Sequence, residues 1–387
     1  MSRVDVKPEL FRWARERSRL DASALAQRFP KYAQWESGEA QPTLKQLEEV
    51  AKVTLAPFGY FFLPEPPQED LPIPDFRTLE GQGPRRPSAR LLDTIYTCQR
   101  RQDWYRDYAL EMGQDPLPFI GSSRQQDGVE AVAESIRKIA GLSAERRASA
   151  PDPETALRLM CVEAEEAGIL IMRNGVVGNN TSQPLLVEEF RGFALSDAYA
   201  PLVFINAADS KAAQMFTLAH ELAHLWLGQS GISNLDNTMV RAGSSLERFC
   251  NQVAAEALVP MKSFRSGWRT SADPVAEFQR LRRRFRVSSL VIIRRALDAG
   301  FLTHAEFKRA FKTEAERLEK LSGSAGGGDF YKTQTSQLGR RFPTALIVST
   351  LEGKTLYRNA FRLLGISKSE TFDQFAKLEL FELPTNP

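Results

Sequence analysis

The chain has 387 residues, a formal net charge of +3, and 42% hydrophobic against 26% charged residues. This length predicts two or three folded units rather than one small domain. The small net charge does not by itself indicate nucleic-acid binding. No run of 18 apolar residues is present, so the sequence predicts no membrane-spanning helix. We expect no export signal because the first residues are polar, and the scattered Cys98, Cys161 and Cys250 are typical of a reducing cytoplasm.

The N-terminal part, residues 1–63, has the apolar spacing of several short helices. Pro8 is placed to open the first, a second is predicted over Ala22–Phe29, and a third over about Thr43–Val53. We therefore expect a helical domain here.

Residues 64–122 are predicted to form a connector followed by a helix. Seven prolines between positions 64 and 87 favour an extended chain. Residues 88–112 then return to a helical pattern with an aromatic and basic face.

The central part, residues 123–322, combines helical and β-rich patterns. A helix is predicted over Glu154–Ala167, and a long apolar helix runs from about Asp209 to Leu227. A further helix covers Leu246–Leu258 and stops before Pro260. Three short strands are predicted at Gly168–Arg173, Arg191–Leu195 and Leu202–Asn206. The chain as a whole is thus predicted to be α+β, mostly helical, with a small β-sheet.

Residues 323–387 are predicted to follow a flexible linker. The glycine-rich stretch Ser322–Gly328 supplies the flexibility, and the tail beyond it, from Asp329, has helical patterning without catalytic chemistry. We expect a helical module that contacts a partner, with an intramolecular lid as the alternative.

The long apolar helix contains His220-Glu221-Leu222-Ala223-His224, which has the form H-E-x-x-H. Residues four apart lie on one face of a helix, so both imidazoles can point at one metal ion. Glu221 is then placed to take a proton from the attacking water. Buried histidines need polar partners, which a metal ion supplies. The pattern predicts a catalytic zinc site.

A third ligand is expected from the following helix, because catalytic zinc usually takes three protein ligands. Glu247 is the best candidate, and Cys250 and Glu256 are the alternatives. Asn251 lies four residues after Glu247 and hence on the same face, where it could hydrogen-bond a ligating histidine and fix its orientation.

The remaining polar residues do not identify a donor for the developing oxyanion. His304, the only other histidine, is expected in an exposed loop or at a helix start. The strand within Phe190–Leu195 either pairs with an extended substrate or lies inside the sheet.

The metal-binding segments resemble the ImmA/IrrE family of metallo-endopeptidases. The resemblance is carried by Phe216–Gly228 together with Glu247 and Asn251–Pro260, and it extends over about residues 150–310. Ala223 stands where the family often has glycine, and it keeps the residue small.

This resemblance implies a zincin-like peptidase of the gluzincin type. In that family the two motif histidines and the downstream glutamate bind zinc, so His220, His224 and Glu247 are the implied ligands and Glu221 the implied general base. The family's members are cytoplasmic regulators that cleave a repressor, an antitoxin-like protein or a similar partner. The implied function is therefore cleavage of a regulatory protein in a stress, phage or mobile-element response.

The N-terminal domain resembles the Xre-type helix-turn-helix that is often fused to such peptidases. The matching segments are Leu25–Phe29, Trp35–Gly38 and Pro42–Leu44. Between the first two, Pro30–Gln34 is about four residues shorter than a turn plus recognition helix requires. DNA binding and a role in packing or partner contact both stay open.

A second basic element follows the metal-binding segments. Arg282, Arg283 and Arg286 lie among several arginines between two predicted helices, where they are expected to contact a nucleic-acid backbone or an acidic partner. The alternative is a solvated helical pair that closes the domain. These features also support a rival function, that of an antitoxin or transcriptional regulator that binds a partner toxin or DNA and uses the peptidase fold as a scaffold.

Overall fold

The computed structural model describes residues 3–75, 87–233, 245–270, 273–321 and 337–382. The chain divides into two units. One comprises Met1–Pro72 with Pro84–Tyr96, and the other comprises Ile73–Gly83 with Thr97–Pro387. None of the described helices is long and apolar enough to cross a membrane.

The first unit is built from short helices around an aromatic core. The helices are α1 (Pro8–Ser18), α2 (Ala22–Arg28), α3 (Tyr32–Ser37), α4 (Leu44–Thr54) and a 3₁₀ turn (Phe58–Phe62). Thr43 begins α4 with a capping box, in which its hydroxyl accepts from the backbone N–H of Gln46. Tyr32 and Trp35 of α3 are both buried, and the Tyr32 hydroxyl donates to the carbonyl of Phe11 at 2.9 Å. The short helix α3 therefore turns its large side chains into the core.

The second unit is mostly helical. Its helices before the sheet are α5 (Ala89–Glu111, which starts in the first unit), α6 (Val129–Ala140), α7 (Ala144–Ser149) and α8 (Pro153–Glu166). The helices that follow strand β5 (Leu202–Asn206) in the chain are α9 (Lys211–Trp226), α10 (Ser245–Leu258), α11 (Met261–Gly267), α12 (Pro274–Phe285), α13 (Ser289–Asp298) and α14 (His304–Leu321). Helix α9 lies in the middle of the apolar core, with every residue from 214 to 226 buried.

A four-stranded mixed sheet packs against α9. Its strands are β1 (Leu170–Asn174), β4 (Gly192–Leu195), β5 (Leu202–Asn206) and β6 (Gly231–Ser233), and a separate hairpin is formed by β2 (Val176–Val177) and β3 (Asn180–Pro184). The order is β1-β5-β4-β6, with β1 parallel to β5 and β4 antiparallel to both neighbours. The three predicted strands are β1, β4 and β5, and the α+β prediction is confirmed.

The ends of α9 are fixed by local chemistry. The Ser210 hydroxyl caps its N-terminus by accepting from the backbone N–H of Ala213. After its last turn Gly228 adopts a φ of +66°, and a Cβ at that position would lie 3.1 Å from the Cα of Gly121. The indole N–H of Trp226 donates to Ser135 at 3.0 Å. These contacts fix both ends of α9.

The C-terminal residues 337–382 form a helical module of α15 (Arg341–Leu351), α16 (Tyr357–Leu364), α17 (Ser369–Lys377) and a final π-turn (Leu378–Glu382). The backbone N–H groups of Arg340 and Arg341 donate to Glu165 of α8, at 2.7 and 3.0 Å. Asn179 donates to the carbonyl of Gly365 at 2.8 Å. The module thus docks near α8 and the β2–β3 hairpin. The predicted linker Ser322–Gly328 and the start of the tail from Asp329 lie outside the described residues.

Candidate metal centre

Three side chains from two helices converge in the core of the second unit. The Nε2 atoms of His220 and His224 lie 3.0 Å apart. The Glu247 carboxylate contacts both, at 3.3 Å from His220 Nε2 and 3.0 Å from His224 Nε2. The ligand atoms of these three residues all lie within 4.8 Å of one another. The sequence pattern predicted the three residues as a group, and the fold brings them together.

Helix geometry accounts for this convergence. His220 and His224 lie one turn apart on the same face of α9, and Glu247 lies in the first turn of α10, which packs along α9. Both imidazoles are fully buried and Glu247 is nearly so. Three potential ligands are therefore enclosed at one point where water cannot solvate them.

The charge balance of this cluster fits a cation. The charge of His220 and hydrogen bonds from both histidines outweigh the effect of burial and lower the pKa of Glu247 to about 2. Burial lowers the pKa of His224, against the effect of the hydrogen bond that its imidazole donates to Glu247. A neutral imidazole carries only one N–H, yet two ring nitrogens and a carboxylate face one another at about 3 Å. Two imidazoles with one carboxylate are a donor set typical of catalytic zinc.

Glu221 lies on α9 next to the two histidines but turns toward the sheet. A Cβ built on Gly192 of β4 would lie 3.0 Å from Glu221 Oε1, so the carboxyl group packs against the backbone of that strand. Neither oxygen of Glu221 accepts a hydrogen bond of ordinary geometry from the described residues. Burial raises the pKa of Glu221 well above 4.5, the charge of Glu247 adds to the rise, and the facing Ser233 hydroxyl opposes it.

Ser233 is a member of the site that the sequence did not indicate. Its Oγ lies 3.2 Å from His220 Nε2 and 3.5 Å from His224 Nε2. It belongs to β6, a strand of three residues whose pattern is too short to predict, and it lies 13 residues from His220 along the chain. A serine at the end of such a short strand has no sequence pattern that would indicate a functional residue.

The two alternative ligands, Cys250 and Glu256, are not part of the cluster of His220, His224 and Glu247. Burial and the charges of Glu247 and Glu221 raise the pKa of Cys250 well above 9. Glu256 pairs with Arg295 and accepts from the backbone N–H of Met261. Among the described residues, Glu247 is therefore the carboxylate that joins the two histidines, and its role as the third metal donor stays a prediction.

The hydrogen bond expected between Asn251 and a ligating histidine is not formed with His220. Asn251 Oδ1 and His220 Nδ1 both have no hydrogen-bond partner among the described residues. Asn251 lies one turn after Glu247 on α10, so its orienting role stays a prediction.

A resemblance to known peptidases covers this site. Residues 164–297 match the IrrE N-terminal-like domain family, Peptidase_M78. The matched segment contains β1, the sheet, α9 and α10, and hence every residue of the cluster. The match indicates a metallopeptidase-like domain of the ImmA/IrrE type, which agrees with the predicted resemblance. Residues 338–378 match a domain of unknown function, DUF8813, which spans most of the C-terminal module. No curated protein matches the chain.

The basic element has mixed roles within the second unit. Arg286 ends α12 and donates to the carbonyl of Ala150 at 2.7 Å, and Arg282 donates to Gln279 at 3.1 Å. Arg283 is exposed. Arg286 and Arg282 therefore contact residues of their own domain, which agrees with the alternative of a helical pair that closes the domain. Contact of these arginines with DNA or a partner stays a prediction.

Two further expectations concern single elements. His304 is exposed at the start of α14, as expected for a helix-start residue. The strand within Phe190–Leu195 is β4, which lies between β5 and β6, so it is an internal strand and cannot take a substrate as a neighbour. The outer neighbour of β6 includes Pro74, whose carbonyl accepts from the backbone N–H of Ile232 at 3.0 Å.

Proposed function

We propose that this protein is a cytoplasmic zinc-dependent endopeptidase that cleaves a regulatory partner protein. The observation that carries the proposal is the buried convergence of His220, His224 and Glu247 beside Glu221. His220 and His224 would hold the ion through Nε2, and Glu247 through its carboxylate. A protein substrate, such as a repressor, an antitoxin or a toxin, fits the peptidase resemblance of residues 164–297.

The chemistry assigned to the chain's own residues centres on Glu221. Zinc, when bound, supplies a Lewis acid that polarises a carbonyl group and lowers the pKa of water. Glu221 accepts the proton of the attacking water and passes it to the leaving amine. Its enclosed position beside the two histidines favours this role, and burial raises its pKa above 4.5.

Zinc content of purified variants tests the ligand set. We expect about one zinc per chain in the wild type and a loss in Glu247→Ala, because two imidazoles alone leave the site incomplete. His304→Ala is the matched control, since it removes a histidine that is exposed and outside the cluster. Full zinc retention by Glu247→Ala would remove Glu247 from the ligand set.

The second candidate function is an antitoxin or transcriptional regulator that binds a toxin or DNA. The helical C-terminal module and the helical first unit favour it, since neither contributes to the metal cluster within the described residues. Co-expression with the product of the neighbouring gene separates the two functions by intact-mass spectrometry. A partner that is cut by the wild type and intact with Glu221→Gln supports the peptidase. A partner that co-purifies uncut with both forms supports the binding function.

A further inference from the structure

Among the described residues outside α9 and α10, the hydroxyl of Ser233 lies close to both histidines. The Oγ atom lies 3.2 Å from His220 Nε2 and 3.5 Å from His224 Nε2. Ser233 is fully buried, and its hydroxyl also faces the carboxyl group of Glu221. It therefore lies between the proposed metal ligands and the proposed general base.

The distances around Ser233 Oγ resemble those among the three proposed ligands. Those ligands are separated by 3.0 Å between the histidines and by 3.0 and 3.3 Å from the histidines to Glu247. Donor atoms that surround one tetrahedral zinc ion at bond lengths of ~2.0–2.1 Å are about 3.3 Å from one another. Ser233 Oγ thus has the spacing of a fourth donor.

The backbone holds Ser233 in this place from both sides. Ser233 is opposite Gly192 in the antiparallel pairing of β6 with β4, and its carbonyl accepts from the backbone N–H of Arg191 at 3.3 Å. On the other side, Asp75 forms a parallel bridge with Ile232. Because paired residues on antiparallel strands project to the same face, Ser233 and Gly192 both face α9.

We propose that the Ser233 hydroxyl is the fourth donor of the metal site and occupies, in the resting protein, the position that catalytic zinc sites leave open. This inference rests on the proposed function, because it requires that His220, His224 and Glu247 bind a divalent metal. An incoming ligand must then displace the hydroxyl, which a rotation about χ1 of Ser233 accomplishes without breaking the β4–β6 pairing.

Cobalt(II) is a suitable probe, since its visible and near-ultraviolet absorption reports the donors around it. In the Co²⁺-loaded protein, Ser233→Cys should gain a thiolate-to-cobalt charge-transfer band, because sulfur is a metal donor and the side chains are nearly isosteric. The wild type is the control for the native thiols, since Cys250 is buried beside the site. Its spectrum should lack the band.

Azide binding to the Co²⁺-loaded protein gives a second readout. We expect Ser233→Ala to bind azide roughly tenfold more tightly than the wild type, because one hydroxyl contact no longer competes. Ser289→Ala is the matched control, since it also deletes a buried hydroxyl but lies on α13, outside the cluster. It should bind azide as the wild type does.

The outcomes separate this inference from the proposed function. A wild type that does not bind Co²⁺ would refute the metal site itself. If Co²⁺ binds to all variants but Ser233→Cys shows no charge-transfer band, the hydroxyl is not at ligand distance and the inference is overturned. Weaker azide binding by Ser233→Ala would also overturn it, since Ser233 would then assist the incoming ligand.

Discussion

Replacement of Gly192 by alanine should destabilise the domain that contains the metal cluster. The backbone of Gly192 has no positive φ, so alanine is compatible with its conformation. The added Cβ, however, would lie 2.5 Å from Thr217 Cγ2, 2.8 Å from the carbonyl oxygen of Phe204 and 3.0 Å from Glu221 Oε1. The expected effect is therefore steric.

The magnitude follows from which of these neighbours can move. The Phe204 carbonyl belongs to β5, which pairs with β4, and Thr217 and Glu221 lie in the buried part of α9. Because all three are held by the sheet or the core, the strain cannot be relieved by an exposed side chain. Overpacking of this kind lowers the free energy of unfolding by about 1–3 kcal/mol, and the constrained neighbours place Gly192→Ala toward the upper end.

Urea unfolding of the zinc-loaded protein measures the change in the free energy of unfolding. The unfolding transition that shifts when zinc is added is the one that belongs to the domain with the metal cluster. Gly267→Ala is the matched control, because the closest neighbour of its Cβ would be the end of the flexible Arg284 side chain. In the double variant with Thr217→Ser, which removes the closest contact, part of the lost stability should return. Equal stability of Gly192→Ala and the wild type, or an equal loss in Gly267→Ala, would refute the steric argument.

Three further changes test other contacts of the second unit. Burial raises the pKa of Glu165 from 4.5 to about 7, against the N–H donors of α15, so the folded state binds its proton more tightly. The free energy of unfolding should then fall by up to about 1.4 kcal/mol per unit as pH rises from 4.5 to 7; this slope should disappear in Glu165→Gln and persist in the exposed control Glu166→Gln. Glu256→Ala should cost about 3–5 kcal/mol in urea unfolding by leaving Arg295 buried without its carboxylate, and Arg295→Met in the same chain should restore part of it. Excess zinc should raise the melting temperature of the wild type but not of His224→Ala; an equal rise in both would contradict the ligand assignment.

The parts of the site that the sequence predicted are those encoded over short distances. His220, Glu221 and His224 lie within two turns of one helix, so their spacing alone fixes their relative positions. Glu247 lies in a second amphipathic helix and was found from the donor chemistry of zinc and the family resemblance. The spacing of residues along a helix is a strong sequence signal, and the relative positions of the three motif residues follow from it alone.

Long-range packing decided what the sequence did not reveal. Ser233 reaches the cluster because β6 pairs with β4, and Gly192 is required to be small because α9 and the β5 backbone both lie close to it. Asn251 has the predicted position on α10, whereas its contact with a ligating histidine stays a prediction, because side-chain hydrogen bonds depend on the rotamers of both partners. Pairing between strands and contact across a helix–sheet interface have no periodic signature in either segment alone.

The enclosure of the cluster bears on the kind of substrate that this protein can take. His220, Glu221 and His224 have no exposed surface, and the outer side of β6 is in contact with the chain at Pro74 and Asp75. A peptidase that degrades proteins broadly needs an open cleft in which any extended peptide can lie. Under the proposed function, a substrate must displace contacts made by the described part of the chain, which requires a partner with enough specific binding energy. We therefore expect an enzyme that is restrained at rest and acts on one or a few partner proteins.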